Sequence, residues 1–183
     1  GGGALVAGDL SLFASVAVGG GLSLAFAARH PERVARVAVG APATGATPEW
    51  RVQLLARADE IERQGMRVQV PTSLDRSYPE AARASDRARF ERYKQRWLSN
   101  DPASFAGINR MMAEVNLLPE LANIRAPALV MAGLHDPIRP PALVKKTAAA
   151  IPGAIYRELE SWHFMHIQTP ALYASHVIPF LAG

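Results

Sequence analysis

A short apolar run, a glycine triplet, a small-residue helix and a second apolar run follow one another between Leu12 and Val39, and few folds accommodate that order. Leu12 to Val16 is apolar and partly β-prone, and it reads as a buried strand entering a tight turn at Gly19-Gly20-Gly21. Leu22, Leu24, Phe26 and the alanines to Ala28 then form a helix that stops at Arg29-His30-Pro31, because proline disfavours helical backbone before it. Val34 to Val39 is a second strand. So short a strand-helix-strand unit is a right-handed crossover between parallel strands of an α/β sheet.

The α/β rhythm resumes late in the chain. Ala126 to Ala132 reads as a strand of the buried parallel kind, followed by a helix over 141–151, a strand over 154–159, a loop through Trp162 to His166 and a helix over 170–181. The intervening stretch has a different character. Arg51 to Met66 and Pro79 to Trp97 carry charges at helical spacing beside a narrow apolar stripe, and Asn100 or Asp101 caps a further helix from Pro102 to Asn116. The expected organisation is a core segment over 1–45, a helical insertion serving as a lid over 46–122, and a second core segment over 123–183.

Composition removes several classes. With 49% hydrophobic residues, 20% charged and no cysteine, the chain is neither disordered nor a disulfide scaffold. The net charge of +4 comes without a basic stripe interleaved with aromatics, so no nucleic-acid partner is expected. The longest apolar stretch, Leu10 to Ala28, is broken by serines and the glycine triplet, so no membrane span is expected either. The opening run Gly1 to Asp9 has no basic region of a signal peptide, and cytoplasm is the default location. No His and carboxylate spacing suggests a metal site, and no cofactor is expected.

Three motifs in order resemble the α/β-hydrolase family, within it the enol-lactonase and esterase-like branch. They are Arg29-His30-Pro31-Glu32-Arg33-Val34, Ala132-Gly133-Leu134-His135-Asp136-Pro137, and His163-Phe164-Met165-His166-Ile167-Gln168-Thr169-Pro170. The resemblance implies a partial parallel sheet flanked by helices, with Asp136 as the triad acid and His163 as the base. An aspartate before proline is also a common turn opener, and a histidine between Trp162 and Phe164 a common core residue. His135 and His166 read as shaping the loop or pocket wall, and His30 and His176 as structural.

The family's nucleophile elbow, Gly-x-Ser-x-Gly, falls on Ser15-Val16-Ala17-Val18-Gly19, so Ala17 occupies the nucleophile position and Val18 would supply an oxyanion N–H. A methyl group cannot attack a carbonyl. An introduced knockout, a natural loss and a shifted register are the three readings. The shifted register would make Ser23 the nucleophile, but the helix from there to His30 is then too short to cross the sheet. Aspartate at the elbow, needed for haloalkane dehalogenation, is absent from this register. Family members also bring several strands before the elbow, whereas sixteen residues precede Ala17. A truncated chain, completion by another chain and a shortened sheet are all consistent with that. A bare Leu12 to Val16 edge predicts pairing with a second copy as a homodimer. The activity that the resemblance implies is metal-independent hydrolysis of a small carboxylic ester or enol-lactone, a small carboxylated ligand being one case, with Trp97, Met111, Arg139 and Phe164 as candidate substrate-pocket residues. The alternative is a non-catalytic ligand-binding or scaffold homologue, since fold does not fix function.

Overall fold

The computed structural model describes residues 10–183; the Gly1–Asp9 run, read above for its lack of a signal peptide, lies outside them. Four parallel strands form one sheet in sequence order: β1 (Ser11–Val16), β2 (Val34–Gly40), β3 (Ala128–Gly133) and β4 (Ile155–Leu159). Helix α1 (Val18–Arg29) makes the crossover from β1 to β2. Between β2 and β3 come α2 (Pro48–Gln64), the short turns α3 (Asp75–Ser77) and α4 (Glu80–Arg83), and helices α5 (Arg87–Leu98) and α6 (Pro102–Glu114). Helix α7 (Pro141–Ala149) joins β3 to β4, and α8 (Met165–Gln168) and α9 (Pro170–Ala182) end the chain. Among the described residues no helix is long and apolar enough to cross a membrane.

The period of two along the strands sorts the core into two layers. On β3, Ala128, Val130 and Ala132 pack with Leu24 and Ala27 of α1 and Val144 and Ala148 of α7. Leu129 and Met131 face the other way, against Met165 and Val177. All six residues of β3 are buried, as expected for a central parallel strand covered on both faces. The insertion has a third cluster of its own, in which Ile61, Leu74, Tyr78, Phe90 and Trp97 gather. Strand β1 is an edge of the described sheet and leaves Leu12 54% exposed.

Three local expectations need correction. The glycine triplet is not a turn before the helix but lies inside α1, which starts at Val18. A Cβ on Gly21 would stand 2.1 Å from the Ala43 carbonyl oxygen and one on Gly20 3.1 Å from the Pro42 Cβ, so the glycines permit close approach of α1 to the segment after β2. The helix expected from Arg51 to Met66 instead runs from Pro48, where Thr47 accepts from the Trp50 N–H, and ends at Gly65 in positive φ. The single helix expected from Pro79 to Trp97 is split, because the Asp86 carboxylate accepts the Arg89 N–H and starts a new helix. Gly21→Ala is expected to cost about 3 kcal/mol or more, since a backbone carbonyl must move to admit one methyl group. Urea denaturation measures it.

Candidate active site

The end of β1 is turned abruptly into α1 at a single residue. Ala17 sits at φ 54° and ψ −119°, the mirror image of extended backbone, which a residue with a Cβ seldom adopts. Three hydrogen bonds hold it there: its N–H donates to the Gly40 carbonyl at 2.9 Å, and its own carbonyl accepts from the Ala43 N–H at 2.9 Å and the Gly21 N–H at 3.1 Å. A Cβ on Gly19 would meet the Ser15 Cβ at 3.5 Å, an ordinary contact, so the hydrogen bonds and not a lack of space at Gly19 hold the turn. Val18 opens the helix, so its N–H has no carbonyl one turn back to bond. Glycine enters the mirror region freely, so Ala17→Gly should stabilise the fold by about 1 kcal/mol. A higher denaturant midpoint at unchanged slope would register it.

Asp136 and His163 come from the loops after β3 and β4, neighbouring strands that bring residues 27 apart in sequence into contact. Gly133, the last residue of β3, lets these loops close: a Cβ there would lie 2.5 Å from the Trp162 carbonyl oxygen. The Leu134 N–H bonds the Leu159 carbonyl at 2.9 Å and the His135 N–H bonds the Ser161 carbonyl at 3.0 Å. One Asp136 oxygen accepts the backbone N–H groups of Ile138 (2.7 Å) and Arg139 (3.0 Å), while the other lies 2.8 Å from His163 Nδ1. Burial pushes the Asp136 carboxyl upward, but the His163 hydrogen bond and charge, with the two backbone donors, outweigh it and leave the group below its ordinary value. An ionised Asp136 selects the His163 tautomer with its proton on Nδ1 and a free lone pair on Nε2.

Ala17, Val18 and His163 line one cavity of about 430 Å³. Its other walls come largely from the insertion: Trp50, Leu54 and Arg57 of α2, Tyr93 and Trp97 of α5, and Phe105, Ile108, Asn109 and Met112 of α6. Arg139 and Phe164 also line it, and the Arg139 guanidinium is buried and held by the Gly45 carbonyl at 2.9 Å. Gln168 ties the histidine loop to the insertion, accepting from the Phe164 N–H and donating to the Ser77 carbonyl at 3.0 Å. Asn109 is wholly buried; its Nδ2 donates to the Phe105 carbonyl, and its Oδ1 has no partner among the described residues.

Of the residues expected at the site, Met111 does not line this cavity. It is 37% exposed, and Met112 takes its place because Phe105, Ile108, Asn109 and Met112 share one helical face at intervals of three and four. Ser23 is also outside the cavity, buried in α1 with its hydroxyl 2.8 Å from that of Ser15. His135 is exposed and pairs with Glu160, while His166 packs on Tyr173; neither lines the cavity. Trp50, Arg57, Asn109 and Met112 escaped the sequence reading. The signal that could have found Arg57 is its place on the apolar stripe of α2 with Trp50, Leu54 and Ile61.

An elbow with a positive φ between strand and helix, followed in chain order by an aspartate and a histidine on adjacent strand ends, defines the class. The α/β hydrolase fold family matches residues 18–170, and the chain belongs to that family. The enol-lactonase from Burkholderia xenovorans LB400 superposes with a TM-score of 0.89 at 28% identity, over 96% of this chain and 66% of that one. A hydrolase from Pseudomonas aeruginosa PA01 gives 0.88 at 22% identity, over 96% and 66%, and a thermophilic esterase from Thermogutta terrifontis 0.87 at 22%, over 95% and 65%. The chain thus spans just under two thirds of the length of these structures. No curated protein matches it.

Proposed function

We infer that the site is laid out for metal-independent hydrolysis of a small carboxylic ester or enol-lactone by acyl transfer, with the covalent step disabled by Ala17. The observation that carries this reading is the strained backbone of Ala17: conformational strain of about 1–3 kcal/mol persists where it presents a side chain to a cavity shared with His163. With a serine at position 17, His163 Nε2 takes the hydroxyl proton as the oxygen attacks the carbonyl carbon. Asp136 stabilises the imidazolium that forms. The Val18 N–H supports the tetrahedral oxyanion, and the imidazolium then returns its proton to the departing alkoxide. Water repeats the sequence on the acyl-enzyme and releases the acid. The insertion acts as a lid whose apolar side chains exclude bulk water.

The methyl group of Ala17 favours a second reading, a homologue that binds ligands of this class without turning them over. Ala17→Ser separates the two. Hydrolysis of short p-nitrophenyl esters that depends on His163 supports the disabled hydrolase; no gain of activity supports the binding protein.

A further inference from the structure

The Asp136 bond at 2.8 Å fixes the Nδ1 end of the His163 ring. The direction of Nε2 at the other end follows from the backbone that carries the ring, and Phe164 is the next residue along it. Phe164 stands outside α8 as its N-cap, at φ −98° and ψ 58°, so the helix itself makes no use of its N–H. Gln168 reaches back and accepts that N–H at 2.7 Å, much as the return arm of a capping box does. The amide nitrogen of the same side chain donates to the Ser77 carbonyl at 3.0 Å. Gln168 and Ser77 are each 5% exposed, and Ser77 also lines the cavity. Only a carboxamide can make both bonds, since a carboxylate has no proton to offer the Ser77 carbonyl. The neighbouring Arg76 donates to the Pro137 carbonyl at 3.0 Å, one residue past Asp136. Consecutive residues of the insertion therefore hold the loop of the acid and the loop of the base.

The histidine loop has other anchors that keep it folded. Met165 is wholly buried in the core layer beside β3, and Tyr93 packs on Phe164 with ring centres 5.1 Å apart. These contacts are apolar and tolerate small shifts, whereas two hydrogen bonds on one buried amide set a distance and a direction. We propose that Gln168 is a positioning residue, which aims His163 Nε2 toward Ala17 by locking the Phe164 backbone to Ser77 of the insertion. The insertion is then part of the scaffold of the acid and base as well as the wall of the cavity. This inference rests on the acyl-transfer reading for the task given to Nε2; the lock itself stands on the two hydrogen bonds.

Magnetic resonance of the chain with isotope-labelled histidine nitrogens tests it, because the His163 Nδ1 proton reports the bond to Asp136 without any turnover. Gln168→Met, similar in length and lacking both hydrogen bonds, should broaden that signal and speed its exchange with water about tenfold, the equivalent of one or two ordinary hydrogen bonds. In the Ala17→Ser background the same substitution should lower kcat about 10²-fold with KM changed by less than about twofold, the scale of a misplacement of about 1 Å. Gln168→Glu keeps the acceptor for Phe164, loses the donor for Ser77, and should show part of both effects. An Nδ1 signal of parental width and exchange rate in either folded variant, even with a lower urea midpoint, would make Gln168 a plain structural brace and overturn the proposal. So would a loss carried by KM with kcat intact. Should Gln168→Met fold poorly, the proton signal of Gln168→Glu decides. Silence of Ala17→Ser toward esters removes the hydrolase reading and leaves the proton result standing, whereas undiminished turnover by Ala17→Ser with Gln168→Met removes the positioning role alone.

Discussion

The Ala17→Ser variant is expected to hydrolyse p-nitrophenyl acetate about 10³-fold faster than the unaltered chain, and His163→Ala in the same background should return the rate to baseline. The size follows from two opposed magnitudes. Restoring a nucleophile to an intact base and acid is worth on the order of 10⁶ in kcat, judged from the reverse deletion in a serine protease. Lacking one oxyanion donor takes back about 10²–10³. In this family the second donor comes from a loop before the elbow strand, so the expected gain counts one donor only, the N–H of Val18 at the start of α1. The hydroxyl needs no new backbone strain, because Ala17 already holds the elbow conformation and borders the cavity. Stopped-flow absorbance should show a burst of nitrophenolate equal to the enzyme, and intact-mass measurement an acetyl adduct on Ser-bearing protein only. Absence of both adduct and burst in a folded variant would leave the ligand-binding reading.

Legibility in the sequence was greatest where one residue type can satisfy the local geometry. The β3 strand was visible as an apolar run because both of its faces are covered, and Asp136 and His163 were visible because chain order and strand ends suffice to place them. The strand-to-helix turn falls at Ala17, the register that the flanking residues and the distance to Pro31 favour over Ser23. The insertion was legible as helices but not as a wall. The apolar stripe marks the inward face of α2, but which of its residues border the cavity depends on how the insertion packs over the sheet, a tertiary relation that no local pattern encodes. Met111 and Met112 differ by about 100° of helical rotation, and that rotation decides which of them meets the cavity. Arg57 was hidden by a sound rule, that arginines are solvated; its place on an apolar stripe was the exception to notice. The glycine triplet misled for a related reason. Its cause is the carbonyl of Ala43, a neighbour brought close only by the fold.

Asp136→Asn in the Ala17→Ser background is expected to lower kcat by about 10⁴ while leaving the fold in place. The asparagine oxygen can still accept the Ile138 and Arg139 N–H groups, so the turn after β3 survives. Its amide nitrogen then faces His163 Nδ1 and donates, which forces the ring proton onto Nε2, where it can no longer accept a proton from the serine. The same substitution has a signature independent of turnover. Asp136 is held below its ordinary value in the folded chain, so its ionised form contributes stability that is complete above the unfolded carboxyl value, about 3.9. That contribution is lost as pH falls through the lower folded value. Urea midpoints of the parent should therefore drop through this acid range, and those of Asp136→Asn should lack that component, with a loss at neutral pH of about 1–3 kcal/mol for the charged hydrogen bonds. A 10⁴ loss of rate without the acid-range difference would mean that Asp136 does not carry the charge assigned to it. An acid-range difference with unimpaired turnover would mean that Asp136 does not orient His163 for proton transfer.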